Sequence, residues 1–449
     1  MNKQSHQQYI ELYEQFAEVL AAHSVSVMND RRGEAFSAFC KQGFPSRKEE
    51  RYKYTDIQAL FAPDYGLNLQ RLDVPFKPEE LFHCEVPNLS TLLFYVVNDT
   101  LSPFSSIPSA LPQGVFIGSM KQFAAEQPEI LRKHYGRLAP VATDSLAALN
   151  TMLAQDGLVV YIPRGVRLEK TIQVVNLLKA NVPLMVCRRV LIIVEEQAEA
   201  KILFCDHALE DVQFLTSEVI EAYVGENASL EIYSLEETHQ KNIRVSNTYV
   251  EQQQSSRLNH QSITLHNGQT RNTFEVLLNG AGAECWLGGG VIADKQQRVD
   301  NNTLITHRVP HCESHELYKY VLNEQSTGAF AGRVLVEKDA QKTVSQETNQ
   351  NLCMTPEARM YTQPMLEIYA DDVKCSHGST VGQLNEAALF YMQQRGISLA
   401  EAKLLLQTAF IGEVIDQVPL APLRDRLRYL VDQRFRGQLN HCEGCKLCK

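Results

Sequence analysis

The sequence predicts a mainly β protein, with a long core of stacked strands between helical regions at its N-terminal and C-terminal ends. Three observations carry that reading. Apolar residues fall at helical spacing only near the two ends, strand-forming residues crowd the middle, and a short turn pattern recurs through that middle.

Near the N-terminus, Tyr9, Ile10, Tyr13, Phe16, Ala17 and Leu20 follow a period close to 3.6 and so share one helix face. From about Pro63 to Pro140, short apolar runs are broken by prolines such as Pro103, Pro108 and Pro112. Residues 1–140 are therefore expected to form a helical and mixed region leading into the core.

From Asp156 the chemistry changes. Leu158 to Tyr161 and Thr171 to Leu178 are rich in Val, Ile, Thr and Tyr, with Pro163 and Gly165 between them. Such segments continue to about Lys374 without a long helix, and residues 141–375 are taken as the β core. A faint repeat runs through it. Val194-Glu-Glu-Gln-Ala198, Val224-Gly-Glu-Asn-Ala228 and Val336-Glu-Lys-Asp-Ala340 share one form, and Asn279-Gly-Ala-Gly-Ala283 is a looser copy. Their alanines are 30, 55 and 57 residues apart, the last two separations being close to twice 28. A period of that size suggests a stacked β-solenoid. An antiparallel sandwich with similar turns is the other arrangement the repeat allows.

After Gly382 the pattern is helical again. Asn385 to Arg395 carries Ala388, Leu389 and Met392 on one face and stops at Gly396. Ser398-Leu-Ala-Glu401 reads as a capping box opening a helix with Ala402, Leu405, Leu406, Ala409 and Phe410, and a further helix covers Pro422 to Arg434. Residues 376–440 are expected to be this C-terminal helical region, and 441–449 a Cys-rich tail.

Composition narrows the function. The 43 basic and 53 acidic residues give a net charge of −10, which disfavours nucleic-acid binding and attraction to anionic membranes. No stretch approaches the roughly 20 apolar residues of a membrane span. The first residues show no signal-peptide core, so the cytoplasm is the expected location. Eleven cysteines in a chain of this length read as reduced thiols, some of them open to metal or cluster chemistry.

The most distinctive segment is Leu366-Glu-Ile-Tyr-Ala-Asp-Asp-Val-Lys-Cys-Ser-His-Gly-Ser-Thr380. As a strand it would place Val373, Cys375 and His377 on one face, bringing a thiol and an imidazole side by side. Simple packing is the plainer reading of that spacing. His311-Cys312-Glu-Ser-His315 also reads as packing, since in a strand the two histidines share a face and Cys312 points away. Gly288-Gly-Gly290 reads as a turn, and the chain has no phosphate-binding loop of its own. In the tail, Cys442, Cys445 and Cys448 have ferredoxin-like spacing without its fourth cysteine. His441 or a partner could complete a zinc or cluster site.

The run Asp371-Asp-Val-Lys-Cys-Ser-His-Gly-Ser-Thr-Val-Gly382, with Ala388-Leu-Phe-Tyr391 and Arg395-Gly-Ile397, resembles the signature of the SufB/SufD family of iron–sulfur cluster assembly scaffolds. His307-Arg-Val-Pro-His-Cys-Glu-Ser314, Phe330-Ala-Gly-Arg333, Ala340-Gln-Lys-Thr343 and Asn349-Gln-Asn-Leu352 fit the same core. Phe44-Pro-Ser-Arg-Lys-Glu-Glu-Arg-Tyr-Lys-Tyr-Thr55 resembles the family's N-terminal motif, with Tyr52 where a tryptophan is usual. Within the family the SufD side fits better. SufB-like chains carry a cysteine in the segment matching Asn349 to Asn351 and a glutamate after the histidine matching His377, where this chain has Gly378. Cys353 stands where SufD-like chains usually have leucine.

The resemblance implies a right-handed parallel β-helix core flanked by helical regions. It implies pairing with a SufB-like subunit through the β-helix, a SufC-like ATPase on the C-terminal helices, and a possible homodimer when isolated. It also implies a non-catalytic role, with His377 and Cys375 at a subunit interface where a nascent iron–sulfur cluster forms. No cofactor is certain in the isolated chain. Two other readings are a self-contained zinc or iron–sulfur protein using the tail and a β-helix enzyme acting on polysaccharide. The latter would need paired carboxylates along a groove, and adjacent Asp371 and Asp372 would face opposite ways on a strand.

Overall fold

A computed structural model describes residues 5–72, 74, 86–103 and 111–438. The N-terminal helices are α1 (Gln7–Ala22), α2 (Ser26–Gln42), α3 (Ile57–Leu60), α4 (Met120–Glu126), α5 (Pro128–His134) and α6 (Ser145–Leu153). After the strands come α7 (Glu386–Gln394), α8 (Leu399–Ile415) and α9 (Ala421–Phe435).

Between and among these helices the chain winds back and forth between two sheets. One holds β1 (Thr91–Val97), β2 (Thr100–Leu101), β5 (Thr171–Leu178), β7 (Glu199–Ala208), β9 (Ser229–Glu237), β11 (Arg257–His266), β13 (Glu284–Ala293), β15 (Glu313–Leu322), β17 (Val344–Cys353) and β19 (Lys374–Gly382). The other holds β3 (Phe116–Ser119), β4 (Leu158–Ile162), β6 (Leu184–Val194), β8 (Phe214–Val224), β10 (Ile243–Gln252), β12 (Gln269–Leu278), β14 (Arg298–His307), β16 (Thr327–Val336) and β18 (Arg359–Ile368). From β4 onward each strand pairs in parallel with the strand two further along the chain. That is a parallel β-solenoid. The sandwich is excluded because its neighbours would run antiparallel, as only β1–β2 and β3–β4 do among the described residues.

The recurring turn is one corner of this solenoid. Ala198, Ala228, Ala283 and Ala340 follow β6, β8, β12 and β16 and are at most 1% exposed. Each donates its N–H to the carbonyl three residues earlier, at 3.0–3.3 Å. Two further corners, after β10 and β14, put Ser256 and Cys312 in the buried place. The 55- and 57-residue gaps are therefore double coils whose middle turn lacks alanine.

Inward faces decide the core. In the early coils Val160, Ile192, Ile220, Ile172, Ile202 and Ile232 fill the interior with branched apolar side chains. The same strands also bury charge, with Arg188 of β6 paired to Asp206 of β7 at 2.7 Å and Arg244 of β10 to Glu218 of β8 at 2.8 Å. The N-terminal motif is fastened to the outside of the second sheet. Tyr52 lies under the Arg271 guanidinium at 4.6 Å, and Arg271 reaches the Arg51 carbonyl at 2.8 Å and Asp300 at 2.5 Å.

Four local readings are refined. Gly288-Gly-Gly290 lies inside β13, not in a turn, and a Cβ on Gly289 would come within 2.3 Å of the Tyr318 ring. His311 sits in a corner at φ 64°, while His315 stacks on Trp286 at 5.6 Å and Cys312 is buried. Ser398 caps α8 at the Glu401 N–H (3.2 Å), but the Glu401 carboxylate pairs with Arg436 at 3.0 Å. Ala388, Leu389 and Met392 are half-buried on α7, which has no fully buried residue.

Candidate functional site at the open end of the solenoid

The segment around Cys375 and His377 is not one strand. β18 ends at Ile368, a turn follows, and β19 starts at Lys374, so Val373 precedes the strand. The turn is held by Lys342, whose N–H donates to the Asp372 carbonyl at 2.6 Å and whose ammonium pairs with the Asp372 carboxylate. Beyond that turn, period two puts Cys375, His377, Ser379 and Val381 on the inward face, in register with Ser345, Glu347, Asn349 and Asn351 of β17.

Among the described residues no strand pairs with the far edge of β18 or β19. The inward face of the last coil is therefore surface. His377 is exposed and Cys375 half-buried, whereas Ser345 and Glu347, one coil below, are 2% and 1% exposed. Thr362 of β18 and Ser379 join hydroxyls at 2.7 Å and tie the two sheets together across this end.

Burial pushes the Cys375 thiol above its ordinary value, so it is held as the thiol and not the thiolate. It packs with Leu366 and Val373 against Val334, Val336, Ala340 and Ala370. Below it runs a hydrogen-bonded line: the His307 ring meets the Ser314 hydroxyl at 2.9 Å, and Ser314 meets Ser345 at 2.9 Å. Burial lowers His307 to about 4, which keeps that ring neutral.

Below His377 lies an acidic ladder that sequence reasoning missed. Glu316 of β15, Glu347 of β17 and His377 of β19 occupy successive positions in register. Glu316 accepts the Thr303 hydroxyl at 2.7 Å. Burial raises Glu316 to about 7, and burial with the neighbouring Glu316 charge raises Glu347 to about 9. The pair keeps at least one proton near neutral pH. Asn349 and Asn351, in the segment where SufB-like chains carry cysteine, form an amide ladder instead. Asn349 donates to the Tyr318 carbonyl at 3.1 Å, and Asn351 to Asn349 at 2.6 Å and to the Thr380 carbonyl at 2.9 Å. Cys353 ends β17 half-buried against the core, its thiol raised by burial.

Among the described residues no three His, Cys, Asp or Glu side chains converge to hold a metal ion. Cys375 and His377 supply two donors of an N/S set, so a metal there needs donors from outside the chain. His441, Cys442, Cys445 and Cys448 lie outside the described residues.

The SufBD core domain of the SUF iron–sulfur cluster assembly system matches residues 177–410, and the SufBD N-terminal region matches residues 3–174. The chain belongs to the SufB/SufD family. An iron–sulfur cluster assembly SufBD family protein of Synechocystis is 29% identical over 418 residues, covering 91% of both chains. The iron–sulfur cluster assembly protein SufD of Escherichia coli is 26% identical over 402 residues, covering 88% of this chain and 90% of its own. The chloroplastic ABCI7 protein of Arabidopsis thaliana is 27% identical over 401 residues, covering 86% and 81%. Family membership supports a role in iron–sulfur cluster assembly. No helix among the described residues is long and apolar enough to cross a membrane.

The N-terminal motif falls within the N-terminal match and the open end within the core match, and the two meet in the fold. Tyr54 stacks on Tyr361 of β18 at 4.4 Å, and Gln363 donates to Glu50 at 2.6 Å. The motif thus braces the last strand of the second sheet.

Proposed function

We propose that this chain is the SufD-type subunit of a cytoplasmic SufB–SufC–SufD assembly, non-catalytic by itself. The open last coil is its pairing surface. A SufB-like subunit covers β18 and β19, and a second copy of this chain can take that place when the SufB-like subunit is missing. His377, with Cys375 beside it, then faces the partner's thiol and shares in holding the nascent iron–sulfur unit, which is the cargo of the assembly. A neutral imidazole opposite a thiolate makes a mixed N/S site suited to iron.

The observation that carries the reading is the exposure of His377 on an inward strand face that no further coil covers. The ATPase has its own candidate surface. Phe390 and Tyr391 of α7 are 63% and 59% exposed, and Leu405 of α8 is 39% exposed. An exposed apolar group of this kind suits a partner protein. The chain lacks a phosphate-binding loop, so hydrolysis belongs to that partner.

Reconstitution of the complex with His377→Ala is the test. Cluster formation is expected to be lost while the complex still assembles. Cluster formation at the wild-type level would end the proposal.

A further inference from the structure

Glu347 is an unusual side chain to bury. It is 1% exposed, and neither carboxylate oxygen has a hydrogen-bond partner. Native proteins satisfy nearly all buried polar groups, and an unpaired buried carboxylate is costly. Its surroundings restrict where a donor can come from. Toward the interior its ladder neighbour is Glu316, another carboxyl, already bonded to Thr303 at 2.7 Å. Across the solenoid it points at Gly332, where even a Cβ would lie 2.0 Å from its Oε1, so no side chain reaches it from there. Toward the open end its in-register neighbour is His377, about 5 Å along the ladder on the same strand face. The His377 ring makes no hydrogen bond among the described residues. One group lacks a donor and its neighbour has a ring N–H to give.

We infer that Glu347 is the positioning residue of His377: a carboxyl oxygen of Glu347 accepts the N–H of one ring nitrogen and leaves the other nitrogen facing out of the open end. This rests on the proposed function, since it specifies how the interfacial imidazole is oriented. Histidines that ligate metals commonly donate their second ring N–H to a carboxylate, which fixes tautomer and ring plane. Gly332 is what leaves the carboxylate room to swing between the interior and the ring.

The test uses the full-length chain in its complex with the SufB-type partner and the ATPase, with Co²⁺ as the probe ion. His377→Ala first locates the site, and cobalt bound there should be lost. If His377→Ala binds cobalt like the wild type, the proposed function fails and takes this inference with it. With that variant effective, Glu347→Met is expected to weaken cobalt binding about 10- to 100-fold. In the metal-free complex it should turn the ¹⁵N signals of the His377 ring from one neutral tautomer into a mixture. Glu347→Gln, which keeps an acceptor oxygen, should recover part of both effects, and Thr348→Val on the outer face should change neither by more than about 2-fold. Cobalt affinity and ring tautomer unchanged in Glu347→Met would overturn the inference while the function stands. Should Glu347→Met fail to fold, the wild-type ring alone decides. A single tautomer supports the inference, and a ring sampling both as a free imidazole does refutes it.

Discussion

Arg189 and Glu221 form an ion pair at 2.5 Å with both side chains 0% exposed. Glu221 also accepts the backbone N–H groups of Gly136, Leu138 and Ala139 at 2.8–3.1 Å. One carboxylate therefore fastens the segment after α5 to the solenoid wall. Glu221→Ala strands a buried guanidinium and three N–H groups, and is expected to cost about 3–5 kcal/mol of unfolding free energy. The double variant Arg189→Met with Glu221→Met should cost less than Glu221→Ala alone. Urea denaturation of the three proteins measures both differences. Equal stability of Glu221→Ala and the wild type would remove this fastening from the account.

A pH dependence follows from Glu236, buried at 4% exposure beside Arg244 and Thr270. Burial raises its carboxyl to about 7, against an ordinary 4.5, despite the opposing pull of Arg244. The folded chain thus binds this proton more tightly than the unfolded chain. Its contribution to stability is complete below about 4.5 and is lost as pH rises through about 7. Glu236→Gln should flatten the fall in the urea midpoint over that window. Parallel profiles for variant and wild type would show that another group titrates.

Two glycines separate steric from conformational need. A Cβ on Gly280 would lie 1.9 Å from the Gln254 nitrogen and 2.2 Å from the Gln253 carbonyl carbon, backbone atoms of the preceding corner. Gly280→Ala is expected to cost about 3 kcal/mol or more, since no side chain can yield. Gly165 has φ +73° but open space around it. Gly165→Ala should cost only the left-handed penalty of about 1–2 kcal/mol. Thermal melts of the pair check the order, and a reversed order would refute it.

Phe390 and Tyr391 contribute little to the isolated chain because both are mostly exposed. Changing both to serine should alter its stability by no more than about 0.5 kcal/mol. Under the proposed function it should weaken ATPase docking by more than tenfold. Undiminished co-purification of the ATPase would move its docking surface elsewhere.

The sequence carried the solenoid better than it carried the site. Val194 to Ala198 and Val224 to Ala228 repeat because every coil must close the same buried corner, and that requirement leaves a periodic trace. Cys375 and His377 could be assigned to one face because alternation is local. Glu347 could not. In Ser345-Gln-Glu-Thr-Asn-Gln-Asn both faces of β17 are polar, so no hydrophobic period distinguishes inside from outside. Only pairing with β15 and β19 shows that Glu347 points inward between Glu316 and His377. The reading of Gly288 to Gly290 as a turn failed for a related reason, because contact with Tyr318 two strands away in the chain, and not local flexibility, requires the small residue at Gly289.

The constant register of the coils also governs which length changes the gene can accept. A residue lost within β17 would rotate the rest of that strand by one step and exchange its inner and outer faces. A residue gained at a corner leaves every strand in place. The corner between β6 and β7 uses residues 195–198, whereas that between β16 and β17 uses residues 337–343, so the coil supporting the open end has already taken up extra length there. Insertions and deletions among relatives should therefore gather at the corners, and the strands should diverge almost wholly by substitution.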